Sequence, residues 1–152
     1  MSFADEVRDL YQEVILDHGR HPRHGHRLAA FDASAKGDNP MCGDRVEVTV
    51  KFAGDGTIAE TGFEARGCAI SIASADLMAE TVKGRGTADT RALFERFRDM
   101  VRTGACPEHD ETMERLAPLS GVHDYPSRVK CATLPWHALI AALDGAREAS
   151  SE

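Results

Sequence analysis

Four cysteines, Cys42, Cys68, Cys106 and Cys131, are the side chains in this sequence whose chemistry is hardest to ignore. None of them forms a Cys-x-x-Cys pair, which removes the usual support for a zinc-finger or thioredoxin-like reading. Their settings are more telling than their spacing. Cys42 lies in Asn39-Pro40-Met41-Cys42-Gly43-Asp44, a tight turn ahead of a strand. Cys68 falls at a strand-to-helix junction, and Cys131 at or near a helix start. A helix N-terminus stabilises negative charge on sulfur and so favours thiolate. Asp44, two residues past Cys42, points to the same side if the segment is extended. Three thiolates and a carboxylate make a four-coordinate zinc site with a net charge of about −2. The competing reading is that each cysteine is a small buried hydrophobe, as free cysteines often are. Spacing leaves both open.

The elements that must position these residues follow from periodicity. Val7, Leu10, Tyr11, Val14 and Ile15 recur at three and four residue steps, predicting a helix from Phe3 to about Asp17. A basic, His-rich connector, 18–36, leads to a turn at Gly37-Asp38-Asn39-Pro40. Val46, Val48, Val50 and Phe52 alternate with polar residues as a strand with one buried face. Ala53-Gly54-Asp55-Gly56 then turns the chain into a second strand, 57–66, with Gly62 a candidate bulge. Helices are predicted from about Ile70 to Lys83, stopped by Gly84, and from about Thr90 to Arg102, stopped by Gly104. A short one spans Glu111 to Leu116, ending at Pro118, and a last one begins near Cys131 or at Pro135. The expected fold is α+β: a small antiparallel sheet of about three strands with helices packed on one face, one domain over residues 1–152.

Composition narrows the function. The chain has 152 residues, 42% of them hydrophobic, enough for a core and too few for two comfortable domains. With 18 Lys and Arg against 25 Asp and Glu the net charge is −7, and the interleaved positives argue against nucleic acid as the main partner. No apolar run approaches a membrane span, and the acidic N-terminus is unlike a signal peptide. A reducing, cytoplasmic setting is expected, in which separated cysteines serve as ligands or reactive thiols rather than disulfides.

Four segments carry a family resemblance: Leu10-Tyr11-Gln12-Glu13-Val14-Ile15-Leu16-Asp17-His18 with Pro22-Arg23; Asn39 to Asp44; Gly67-Cys68-Ala69-Ile70-Ser71-Ile72-Ala73-Ser74-Ala75; and Arg128-Val129-Lys130-Cys131-Ala132-Thr133-Leu134. Together they resemble the SufU-type proteins of iron–sulfur cluster assembly, relatives of the IscU and NifU scaffolds, over about Leu10 to Leu143. The resemblance implies a SufE/NifU-like fold and one zinc ion held by Cys42, Asp44, Cys68 and Cys131, with Cys106 incidental. It further implies a zinc-dependent sulfurtransferase that takes persulfide sulfur from a PLP-dependent cysteine desulfurase, SufS, and passes it to the downstream assembly machinery. The alternative is a scaffold on which a transient [2Fe–2S] cluster is built by the same cysteines.

Two departures from the scaffold pattern favour the relay. Lys130 stands where IscU-type scaffolds carry a histidine before the last cysteine, and an ammonium has no lone pair for a metal. The 62 residues between Cys68 and Cys131 are more than IscU has, and include the helix between Gly84 and Gly104. Cys42, on a Gly-flanked turn, is the expected persulfide acceptor. Arg128, three residues before Cys131, either neutralises the anionic site and holds an incoming persulfide or makes a surface salt bridge. Of His18, His21, His24 and His26 only His18 matches the family, and the other three read as solvated loop residues. Trp136 and His137 read as packing and helix-surface residues.

Overall fold

Val46, Val48 and Val50 are 3%, 0% and 0% exposed, so the alternation read from the sequence does mark a strand with its apolar side in the core. In a computed structural model, which describes residues 3–40, 43–105 and 110–150, that strand is the second of four. The elements run α1 (Phe3–Arg20), β1 (Ala33–Asn39), β2 (Asp44–Phe52), β3 (Ile58–Arg66), α2 (Ala69–Thr81), α3 (Thr87–Thr103), α4 (Glu111–Leu116), α5 (Pro126–Leu143) and β4 (Glu148–Ser150). A 3₁₀ segment, Ala117–Asp124, joins α4 to α5. The class is α+β, as expected.

The sheet has the order β3-β2-β1-β4, with β2 antiparallel to both neighbours and β4 parallel to β1. The expected sheet of about three antiparallel strands is thus corrected to four, one of them parallel. Neither β1 nor the three-residue β4 is among the strands expected; β1 stands where the sequence predicts the end of a connector and a turn, reads Ala-Ser-Ala-Lys-Gly-Asp-Asn, and has none of the β-branched or aromatic residues that announce a strand. Its smallness has a cause in packing. A Cβ on Gly37 would meet Leu134, Ala138 and Val46 side chains at 3.1 to 3.3 Å, so α5 lies directly on the strand and leaves no room for larger residues. The register shift falls between Lys51 and Phe52 rather than at Gly62, which pairs regularly with Thr49.

Helix boundaries are close to expectation except for the last. α5 starts at Pro126, five residues ahead of Cys131, with proline in the first turn where its missing N–H costs nothing. Pro135 is therefore inside the helix. On α3, Leu93, Phe94, Phe97, Met100 and Val101 are buried, and Phe97 stacks on the fully buried Trp136 of α5 with ring centroids 4.6 Å apart. Among the described residues no helix is long and apolar enough to cross a membrane.

Candidate metal centre

Three elements converge on one point. Asp44 opens β2 and is 3% exposed; Cys68 is the N-cap of α2; Cys131 is in the second turn of α5 and 1% exposed. The carboxylate oxygen and the two sulfurs all lie within 4.8 Å of one another. Cys42 and Cys106 lie outside the described residues, so three of the four expected ligands are brought together here. Tetrahedral zinc with Zn–S of about 2.3 Å and Zn–O of about 2.0 Å has ligand–ligand edges of about 3.5 to 3.8 Å. Cys68 Sγ is 3.6 Å from Asp44 Oδ2, one edge at that separation, and two thiols with a carboxylate suit a zinc ion in their chemistry.

Each ligand is held by a local device. The Cys68 backbone N–H donates to Asp44 Oδ1 at 3.1 Å, which fixes the carboxylate at the positive end of α2. Gly67, at φ +149°, makes room for it: a Cβ there would overlap the Asp44 carboxylate. Cys131 is placed by an interruption in its own helix. Pro135 has no N–H to give to the carbonyl four residues earlier, that of Cys131. The Ser71 hydroxyl of α2 donates to that oxygen at 3.2 Å instead, Ser74 donates to the Ala132 carbonyl at 2.5 Å, and Trp136 Nε1 donates to Ser74 Oγ at 3.2 Å. Two helices that carry one cysteine each are stitched together at the level of the site. Cys131 is thus set by this seam, and the helix-start placement expected from its sequence setting does not hold. Cys68 alone of the two keeps that placement.

Arg128, three residues before Cys131 on α5, turns its guanidinium toward both sulfurs. Its proton is held above the ordinary arginine range, first by negative charge on Cys68 and then by hydrogen bonding to Cys131. Lys130 is half-buried on the same helix. Trp136 is core, as expected, and His137 is half-buried against the Phe94 ring, edge-on at 5.0 Å, rather than on an open helix surface. His18 and His24 are not free in solvent. His18 Nδ1 donates to the buried Asp76 Oδ2 at 2.5 Å, and the His24 backbone N–H donates to Asp76 Oδ1 at 2.8 Å. An acid within the apolar stripe of α2 was the available signal for this pair, since a buried carboxylate demands partners.

A profile of the NifU-like N-terminal domain family matches residues 10–132. The chain belongs to that family. Over 143 residues it is 37% identical to a protein of Bacillus subtilis named zinc-dependent sulfurtransferase SufU, covering 91% of this chain and 92% of the relative. It is also 37% identical over 138 residues to the iron–sulfur cluster assembly scaffold protein IscU of Streptococcus pyogenes, covering 91% and 85%. A crystal structure from Fervidobacterium islandicum, described as an iron–sulfur cluster assembly scaffold protein for the SUF system, superposes with a TM-score of 0.78 at 31% identity, covering 90% of this chain and 98% of that one. The NifU-like fold and the place of this chain among SufU-type iron–sulfur assembly proteins are therefore established.

Proposed function

We propose that this NifU-like chain is a zinc-dependent sulfurtransferase that accepts persulfide sulfur from a PLP-dependent cysteine desulfurase of the SufS type and passes it on for iron–sulfur cluster assembly. The observation that carries the reading is the convergence of Asp44, Cys68 and Cys131 within 4.8 Å under the Arg128 guanidinium. Cys42, two residues before Asp44, is assigned as the fourth ligand. Zinc bound by this set would keep the thiols deprotonated at neutral pH and moderate their reactivity.

The protein's own residues divide the remaining work. Cys131 is buried on α5, and the half-buried Cys68 is tied at the start of α2 beside Asp44, so both are held in place. Cys42 is therefore assigned as the acceptor. Its thiolate attacks the outer, sulfane sulfur of the desulfurase persulfide; the S–S bond of that persulfide breaks, the desulfurase cysteine leaves as thiolate, and Cys42 carries the new persulfide. Arg128 would hold the incoming anion and offset the negative charge of the site. A reducing cytoplasm suits such open thiols.

Zinc analysis and desulfurase kinetics test this together. One zinc per chain, lost in Cys42→Ala along with stimulation of the desulfurase, is the expected result, and unchanged desulfurase turnover in the presence of the native chain overturns it. The scaffold reading is kept because a relative equally identical, at 37%, bears that name. Anaerobic reconstitution separates the two: a stable, transferable [2Fe–2S] chromophore supports the scaffold, and retained zinc with no transfer supports the relay.

A further inference from the structure

Among the described residues a second meeting point of metal-ligating side chains lies elsewhere on α2. Asp76 and Glu80 stand one turn apart on that helix, about 12 and 18 Å of helix rise from Cys68. Asp76 is fully buried, and burial of a carboxylate is costly unless it is paired. The last turn of α1 brings His18 to one of its oxygens, and the connector brings the His24 amide to the other. Glu80 then adds a second carboxylate. The ligand atoms of His18, Asp76 and Glu80 lie within 4.8 Å of one another, and His24 Nε2 is 3.7 Å from Glu80 Oε1.

We propose that His18, His24, Asp76 and Glu80 form a second cation site, independent of the cysteine centre, for a divalent first-row transition ion such as Zn²⁺ or Co²⁺. Two carboxylates this close favour positive charge beside them, which the His18 and His24 rings or a bound cation can supply. Two imidazoles and two carboxylates, with no sulfur, form a mixed nitrogen and oxygen set of the kind such ions take, and two negative charges match one divalent ion. The His18, His24 and Glu80 side chains are 13%, 29% and 34% exposed and line a shallow depression, while Asp76 is buried behind them. The nearby Arg23 is engaged by Asp17 at 2.6 Å. Lys83 and Arg115 line the same depression, so binding there rests on direct ligation rather than on a negative field. Ligation by His18 Nδ1 would replace its hydrogen bond to Asp76.

Cobalt distinguishes this site from the cysteines by colour. The full-length chain, loaded with a single equivalent of Zn²⁺ for its thiolates and freed of excess, is titrated with Co²⁺ and followed by optical spectroscopy and bound-metal analysis. One further equivalent is expected, with visible ligand-field bands and no sulfur-to-cobalt charge transfer. Glu80→Gln and His24→Gln, both at partly exposed positions that tolerate replacement, each weaken that equivalent at least tenfold and leave the thiolate-bound zinc in place. The proposal is overturned if no further equivalent binds, if its bands carry sulfur charge transfer, or if both variants bind it as the native chain does.

Discussion

Pro135 stands four residues after Cys131 in α5, and the carbonyl that its missing N–H leaves free is bound by the Ser71 hydroxyl, 3.2 Å away on α2. A proline inside a helix ordinarily costs about 3 kcal/mol or more. Here the freed oxygen is used to join the helix carrying one candidate ligand to the helix that starts at another. The interruption and the seam are one feature.

Ser71→Ala should therefore destabilise the fold by about 1 to 2 kcal/mol, since Ser71 is 2% exposed and its loss removes a buried hydrogen bond. Restoring an N–H by Pro135→Ala gives that carbonyl its helical partner back. In a double-mutant cycle by urea unfolding, the Ser71→Ala cost is expected to shrink in the Pro135→Ala background. Strictly additive costs would show that the seam is incidental.

Gly67→Ala attacks the site from the opposite side. The new Cβ would meet the Asp44 carboxylate at a backbone φ of +149° that an L side chain rarely adopts. A loss of about 1 to 3 kcal/mol is expected from strain, with a weaker hold on zinc because the displaced ligand is Asp44. Thermal unfolding and zinc stoichiometry read both effects. A Gly67→Ala chain with native melting and a full zinc equivalent would contradict the geometry described.

Arg128 separates the handling of sulfur from the holding of metal. It is exposed, contributes no metal ligand and faces both the Cys68 and Cys131 sulfurs. Arg128→Ala should keep one zinc per chain while lowering stimulation of the desulfurase several-fold, and Arg128→Lys should recover part of it, because the charge is kept and the planar fork is lost. Zinc loss in Arg128→Ala would instead assign the residue to maintaining the site.

How much of this was legible beforehand depended on whether a feature was local. The valine alternation of β2, the apolar stripe of α3 and its stop at Gly104 are written in neighbouring residues, and they match the structure closely. β1 escaped because its small residues answer to α5, a helix a hundred residues away in sequence. Proline favours a helix start, so the sequence offers Pro135, beside Cys131, as one; the Ser71 hydroxyl, 64 positions earlier, takes up the carbonyl that an interior proline cannot serve. For the site, the identities of Asp44, Cys68 and Cys131 were available in the motifs. Their convergence, and the His18–Asp76 pairing, depend on how α1, α2 and α5 cross.

The dependence of stability on pH should show two separate losses. His137 is half-buried against Phe94, and burial, followed by the positive charges of Arg98 and Arg102, lowers its pKa below the ordinary 6.5. The unfolded chain then takes up a proton near pH 6.5 that the folded chain refuses, so stability falls as pH drops from 6.5 toward the depressed folded value and levels off below it. Asp110 behaves as a depressed carboxylate. The Met113 N–H, which it caps at 2.9 Å, and then Arg96 hold its pKa under the ordinary 3.8. Its contribution is present above 3.8 and is lost as pH falls through the folded value, in a lower window shared with Asp17 and Asp55. Unfolding free energies from pH 3 to pH 8 on native, His137→Gln and Asp110→Ala chains test both. The difference from native isolates each group, because every other titratable side chain is shared by the chains compared. His137→Gln should flatten the profile below 6.5 and leave the acidic limb intact. Asp110→Ala should lower stability at neutral pH and reduce the acidic limb alone, and a His137→Gln profile parallel to native throughout would show that this imidazole is protonated as readily in the fold as out of it.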